Sequence, residues 1–475
     1  MKLLRSLEAK NKFLNLKYLY LAISLFCKIG INLFVIFYLA KKLNLIDFGS
    51  FSLAFVFSSF LIAILDYGFN LKGLTLAGKD LSKINQHLSK MLSAKIVITI
   101  FSLTIFFIFL LNNNYNKVTR TTIIILVVSS IPISFGNFFV NSFKLFHNYK
   151  KEAIGFVIQA LIILFLIILN EFYGENNIIY YASFIAVSRI IYFLYSIIVF
   201  NNKFLLSLEI SLKEIFKTLK ENTPYAVHLV LSSSIIYIDT FILSLLSSLQ
   251  DVGLYQAGIR IVMAAMLIAV ILNDAFIPEV SSLASNRKRV IKKLQNLFKF
   301  VLLFAIITSV IILTFKNTII TILFSEKYLT LNSYIYYIVS ILFLRYIGVV
   351  PGIILTSFNS QKIRAFAVVI SIMISILLNW FLIPVFGVEG AFISSLFAHI
   401  ILNIIYVSKS LNIIKYIKGD SDYFIILSIL ILNILFIKLF VKDNLLDLFF
   451  VCLFNLTLIL FILKKQTSIK FLNKS

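Results

Sequence analysis

A chain of 475 residues that is 60% hydrophobic and 13% charged, with a mean hydropathy of +1.00, lies far from the roughly half-apolar, quarter-charged make-up of soluble domains, and a soluble globular fold is excluded. The balance of 44 Lys and Arg against 20 Asp and Glu, a net +24, calls for no nucleic-acid partner, because basic residues between spans are what orient a membrane protein against an anionic leaflet. The two cysteines, Cys27 and Cys452, sit inside apolar runs and the four histidines are scattered. Neither a disulfide framework nor a metal motif is available, and no cofactor is expected.

In chain order, Lys2, Arg5, Lys10, Lys12 and Lys17 precede a long first apolar run without a small-residue cleavage site, which reads as a retained span rather than a signal peptide. Apolar windows of membrane-spanning length fall at 18–40, 48–71, 91–111, 121–143, 153–170, 178–200, 224–246, 252–273, 298–315, 334–356, 365–386, 391–408, 423–441 and 444–463. Runs this long without strict alternation are helices. The expected fold is an all-α integral membrane protein of about 14 transmembrane helices.

With the N-terminus inside, the inner segments hold 31 Lys and Arg, the outer loops 7, and the spans themselves 6. This bias places both termini in the cytoplasm. The longest inner segments, 201–223 and 274–297, read as amphipathic helices. The first divides the chain into an N-terminal lobe at 1–200 and, after the linker at 201–223, a C-terminal lobe at 224–408, with 409–475 carrying the last two spans and a cytoplasmic tail.

Three pairs of residues point to internal duplication. Asp47 and Gly49 open the second span as Asp251 and Gly253 open the eighth, an offset of 204; Pro132 and Pro351 are offset by 219, and Gly174 and Gly387 by 213. Six spans per repeat put both repeats in the same orientation, so the expectation is two six-helix lobes related by a pseudo-two-fold axis along the membrane normal, plus two C-terminal helices.

Three stretches carry a resemblance. Asp239, Gly253, Tyr255, Ala257, Arg260, Pro278 and Ser281 form one; Asn359, Lys362, Asn379, Leu382, Ile383, Pro384, Gly387, Gly390 and Ala391 a second; Phe48, Gly49, Asp66 and Gly68 a third. Together they resemble the polysaccharide and O-antigen flippases of the Wzx type, within the multidrug/oligosaccharidyl-lipid/polysaccharide exporter superfamily. The resemblance implies a bacterial inner-membrane flippase, not an enzyme, that moves undecaprenyl-pyrophosphate-linked oligosaccharide between leaflets by alternating access. It also implies the partners of such a system: membrane lipids, a coupling cation (H+ or Na+), and polysaccharide polymerase and assembly proteins. Ser244, Ser247 and Ser248 stand where relatives often carry glycine.

Ionised side chains at span centre cost about 2.5–3.5 kcal/mol on insertion scales, so those retained are candidates for function. Lys28, Arg189, Arg260 and Arg345 lie near mid-depth and suit a pyrophosphate, which arginine forks grip in a bidentate way. They are the expected substrate-binding residues, with bracing of the lobes or pairing with Asp66 or Asp239 as the alternative for each. Asp66 and Asp239 are expected to couple an ion or pair with these cations. Lys95 and Lys438, nearer span ends, carry little weight, and His228 and His399 read as packing residues.

Two other functions compete. A membrane glycosyltransferase or polymerase needs a substantial external loop, and the longest outer loop here, 316–333, has 18 residues. A drug/cation antiporter of the same superfamily would share the architecture, but intramembrane cations repel cationic drugs.

Overall fold

The computed structural model describes residues 19–76, 84–113, 115–146, 148–204, 211–283, 286–358 and 360–414. Every regular element among them is helical. Among the described residues, eleven helices are long and apolar enough to cross a membrane, and a bent pair makes a twelfth. Spans 1 to 6 are Leu19–Lys42, Leu45–Gly73, Ile84–Leu111, Lys117–Phe146, Lys150–Phe172 and Ile178–Asn201. Span 7 is Leu229–Leu246, span 8 the bent pair Leu249–Ala265 and Leu267–Asn273, and spans 9 to 12 are Arg287–Thr314, Glu326–Ser357, Gln361–Phe386 and Val388–Ile413. They coincide with the first twelve expected windows. The windows at 423–441 and 444–463 lie outside the described residues, as does Lys438.

The chain packs as two compact units, one of residues 1–244 and 248–253, the other of 245–247 and 254 onward. The first contains spans 1 to 7 and the opening turn of span 8; the second contains the remainder of span 8 and spans 9 to 12.

Helix lengths and interruptions repeat along the chain. Span 9 lies 203 residues after span 3 at both ends, Ile84 against Arg287 and Leu111 against Thr314, and each has 28 residues. Span 4 is interrupted at Ser129, between Lys117–Val128 and Ser130–Asn141. Span 10 is interrupted at Gly348, between Ile335–Ile347 and Val349–Ser357, an offset of 219 from Ser129. The cause is the same in both: Pro132 and Pro351 each lie three residues past the break, and the ring that replaces the N–H clashes with the carbonyl four residues back.

The Asp-x-Gly openings of spans 2 and 8 are helix caps. Asn44 precedes span 2 and its Oδ1 accepts from the Asp47 amide at 2.8 Å, while its Nδ2 donates to the Asp47 carboxylate at 2.8 Å. At span 8, Ser248 Oγ accepts from the Asp251 amide at 3.1 Å, again an offset of 204 for both members. A side-chain acceptor plus an acid in the first turn satisfies orphan amides and complements the helix dipole.

Among their described residues, the two inner segments expected as amphipathic helices are helical over 212–223 and over 274–282 and 287–297. Leu212–Leu246 is one helix of 35 residues that carries span 7 and runs through Pro224. The carbonyl that this proline leaves without a donor belongs to exposed Lys220, on the solvent-accessible side of the helix. The extension is fastened to the first unit by two ion pairs on one face, Lys90 to Glu214 at 2.7 Å and Lys72 to Glu221 at 2.8 Å. The other segment is the end of one helix, Leu267–Ser282, and the start of the next, Arg287–Thr314, capped by Asn286. The outer loop at 316–333 is also structured, as Lys316–Phe324 and a 3-10 helix at Glu326–Tyr334.

Candidate functional site

Each unit has charged residues gathered at the breaks in its spans. In the first, span 2 ends its α-helix at Asp66, and the chain passes through left-handed conformations at Tyr67 (φ 46°) and Gly68 (φ 72°). The break frees the Leu65 carbonyl and exposes the Asp66 carboxylate to span 3. Lys95 Nζ donates to that carbonyl at 2.6 Å and to Ser134 Oγ at 2.7 Å, and lies 5.1 Å from the centroid of the Phe135 ring. The charges of Lys95 and, more weakly, Lys28 act on the Asp66 carboxylate. Asp66 Oδ1 also accepts from the Asn70 amide at 3.3 Å.

Lys95 is fully buried, 0% exposed, although its sequence position gave it little weight. The helix of span 3 begins at Ile84, not at 91, so Lys95 sits a full three turns inside. The signal that would have found it is Asp66 itself, which needs a cation at its own depth.

Lys28 is exposed on a π-helical turn, Phe26–Gly30, within span 1, with its ammonium 5.6 Å from the centre of Phe156. Single π-turns inside α-helices are frequent at functional sites, because the extra residue re-aims the side chains that follow.

Arg189 is packed among helices of the first unit. It is 5% exposed, and its Nη1 donates to Ser58 Oγ at 2.7 Å, Ser129 Oγ at 2.9 Å and the Leu126 carbonyl at 3.2 Å. It stitches the break in span 4 to spans 2 and 6. The structure gives it bracing partners rather than an open face. Asp239, on span 7, is 2% exposed.

In the second unit, the breaks of spans 8 and 10 meet. Tyr346 Oη donates to the Ala265 carbonyl, the last residue before the 46° bend in span 8, at 2.6 Å. Arg345 precedes Tyr346 and lies three residues before the Gly348 break; Arg260 lies five residues before Ala265, about 7.5 Å along the helix. Arg260 is 4% exposed, with Nη1 3.3 Å from Met263 Sδ. The charge of Arg345 acts on His399, whose Nδ1 is 2.8 Å from the Ser395 carbonyl. Asn403 Nδ2 donates to the Leu344 carbonyl at 3.0 Å, satisfying an acceptor at the break. Interrupted helices at membrane depth are where transporters bind polar cargo, because only there is backbone not consumed by the helix.

The structure therefore brings the charges of Lys28 and Lys95 to bear on Asp66 in the first unit, and in the second places Arg345 next to the junction of spans 8 and 10 and Arg260 five residues before it on span 8. Among the described residues, no group of three or more His, Cys, Asp or Glu is arranged to hold a metal.

The sequence profile of the family described as "Polysaccharide biosynthesis protein" matches residues 16–284. No curated protein matches the chain at the level of sequence. Among solved structures, the lipid II flippase MurJ in an inward closed conformation aligns with a TM-score of 0.72 at 18% identity, covering 94% of this chain and 97% of that one. An inward-facing multidrug resistance transporter of the MATE family, in the MOP superfamily, aligns with a TM-score of 0.64 at 12% identity over 83% of this chain and 97% of that one. A MOP superfamily transporter from Pyrococcus furiosus, described as having a binding pocket of reverse polarity, aligns at 0.56 and 13% identity, over 83% and 95% of the two chains. At these identities the likeness is one of fold.

Proposed function

Because the chain belongs to the polysaccharide biosynthesis protein family, we propose that it is a flippase for a lipid-linked oligosaccharide, carrying an undecaprenyl-pyrophosphate-linked repeat unit from the cytoplasmic to the outer leaflet of a bacterial inner membrane. The observation that carries this reading is a cation on each of two interrupted spans of the second unit, Arg260 on span 8 and Arg345 on span 10, spans joined by the Tyr346–Ala265 hydrogen bond. A pyrophosphate is the one part of such a lipid that hydrocarbon cannot accommodate, and arginine forks compensate its charge at membrane depth. Lys28, on its π-turn, is a further cationic contact, on the first unit. Arg189 serves the same unit by bracing span 4.

Asp66 is the residue proposed to respond to a coupling cation, H+ or Na+, because protonating or neutralising it removes the negative charge on which Lys95 and Lys28 act. Both termini face the cytoplasm in this reading, and polymerase and assembly proteins act on the delivered glycan. The fold shared with MATE transporters leaves a drug/cation antiporter as the competing reading. The intramembrane arginines oppose it, since they repel a cationic drug.

The test is reconstitution of the full chain into vesicles with a fluorescent undecaprenyl-pyrophosphate oligosaccharide, its orientation read by an impermeant quencher. Protein-dependent movement supports the reading. A scramble-free vesicle whose lipid stays in one leaflet, with cationic dye efflux instead, would replace it with the antiporter.

A further inference from the structure

The break in span 2 has the makings of a cation site. The α-helix Leu45–Asp66 ends there, and its last carbonyls carry the negative end of the helix dipole. The Tyr67 amide donates to those of Ala63 and Ile64, at 3.4 and 3.1 Å, whereas that of Leu65 takes its donor from another span. The Asp66 carboxylate follows it in the chain, and its Oδ1 accepts from the Asn70 amide of the half-helix Phe69–Leu76. A freed carbonyl and a carboxylate at an interrupted span are what transporters offer to a small cation.

The chain fills that site itself. Lys95 Nζ arrives from span 3, donates to the Leu65 carbonyl at 2.6 Å and to Ser134 Oγ at 2.7 Å, and has the Phe135 ring 5.1 Å away. A carbonyl, a hydroxyl and a π face thus surround a buried ammonium, and its charge is the largest acting on Asp66. A sodium ion here would need the Leu65 oxygen that Lys95 already holds, and would sit beside a like charge in a low-dielectric interior. A proton needs neither. It adds to one carboxylate oxygen, makes Asp66 neutral and leaves the ammonium on both of its acceptors.

The groups around the break do not alter this choice. Lys28 of span 1 is a second cation acting on Asp66, and Arg189 of span 6 is held by Ser58, Ser129 and the Leu126 carbonyl. The helix of span 7 brings Thr223 to Tyr67 and Tyr225 to Gly68, and its Glu221 is paired with Lys72. Both charges that act on Asp66 are therefore positive, and both oppose a further metal cation.

Resting on the flippase reading above, we propose that Lys95 is a tethered cation: its ammonium occupies the site at the span 2 break, so this cluster admits no sodium ion and responds to protons alone. Of the two coupling cations considered for Asp66, the geometry leaves the proton.

The experiment melts the full chain in lipid nanodiscs at about 0.15 M ionic strength, in sodium, choline or n-propylammonium chloride, since a cation that binds only the folded chain raises the melting temperature. The unsubstituted protein should melt at one temperature in sodium and in choline. Lys95→Ala vacates the site and should be stabilised both by sodium and by n-propylammonium, which replaces the missing part of the lysine; adding Asp66→Asn should remove most of either response. A sodium-dependent rise in the unsubstituted protein overturns the proposal, and this arm stands even if the variant does not accumulate. A folded Lys95→Ala variant indifferent to both cations overturns it as well. Flipping by the unsubstituted protein in vesicles separates the two claims. Rates within twofold of each other in sodium and choline, yet changed at least fivefold by an imposed pH gradient, support the proposal. Flipping that depends on sodium, or that ignores the pH gradient, removes this inference alone, and inactivity in every salt removes the function on which it rests.

Discussion

Gly49 and Gly253, 204 residues apart, pack backbone against backbone. A Cβ on Gly49 would lie 1.8 Å from the Leu249 carbonyl oxygen, and one on Gly253 would lie 2.5 Å from the Leu45 carbonyl oxygen. Leu45 and Leu249 are themselves offset by 204, so the contact is reciprocal: each repeat's glycine receives the other's first helical carbonyl. Both glycines are dictated by this close approach.

Alanine at either position should be poorly tolerated. Gly49→Ala forces the helices apart and should cost at least the ~1–3 kcal/mol typical of overpacking. Gly73→Ala, where a Cβ meets nothing within 4 Å, should be neutral or slightly stabilising. Melting temperatures of the two purified variants, compared by thiol-reactive dye unfolding, check the contrast; equal shifts would contradict it.

The Lys95 pairing makes a second prediction. Lys95→Met removes the donor to the buried Leu65 carbonyl and Ser134 hydroxyl together with the cation whose charge acts most on Asp66, and should destabilise by about 1–3 kcal/mol, the usual cost of leaving a buried polar group unsatisfied. Adding Asp66→Asn should restore more than half of the lost stability. A double variant as unstable as the single one would show that the two charges are not coupled.

Arg189 should behave as a brace. Arg189→Ala removes the donor to Ser58, Ser129 and the Leu126 carbonyl, and protein yield should fall several-fold. Arg189→Lys, with charge but a single head, should recover only part of it. Normal abundance with lost transport would instead make Arg189 a substrate ligand.

The ion pairs at the base of span 7 give a pH dependence. The hydrogen bond from Lys90 holds Glu214 below the ordinary carboxylate value, and that from Lys72 does the same for Glu221. Their folded-state values being depressed, the contacts contribute fully above the ordinary value of 4.5 and are lost only as the pH falls through the lower, folded-state values. The melting-temperature difference between the unsubstituted protein and Glu214→Gln with Glu221→Gln should stay constant from pH 8 to 5. A difference that already fades between pH 8 and 6 would contradict the assignment.

The repeat was legible in the sequence because its markers are residues with one physical job: Pro132 and Pro351 break helices, Asp47 and Asp251 sit in helix caps, and Gly49 and Gly253 admit backbone. Spans were legible because hydrocarbon demands long apolar helices. Their ends were not, since polar first turns such as those before Met91 and Phe298 lie outside any apolar window yet continue the same helix. That error hid Lys95. The surroundings of the arginines were hidden as well, because depth in a span is the same for a brace as for a ligand. Arg189 and Arg260 differ only in what surrounds them.

Repeat asymmetry sharpens the point. Arg189 lies eleven residues into span 6 and reaches the break of span 4; the residue eleven into span 12 is His399, and the cation beside it, Arg345, comes from the break of span 10. The same helix pairing thus carries its arginine on opposite partners in the two units. Only the second places it beside the junction of two breaks.

The most direct test of the account is the initial rate of lipid-linked oligosaccharide flipping by Arg345→Ala and Arg345→Lys in reconstituted vesicles, normalised to folded protein. A charge-assisted hydrogen-bond pair worth about 1.5–3 kcal/mol predicts a loss of at least tenfold for alanine, with partial recovery for lysine and an unchanged melting temperature. Flipping at the unsubstituted rate by the alanine variant would contradict the assignment of Arg345 to the pyrophosphate.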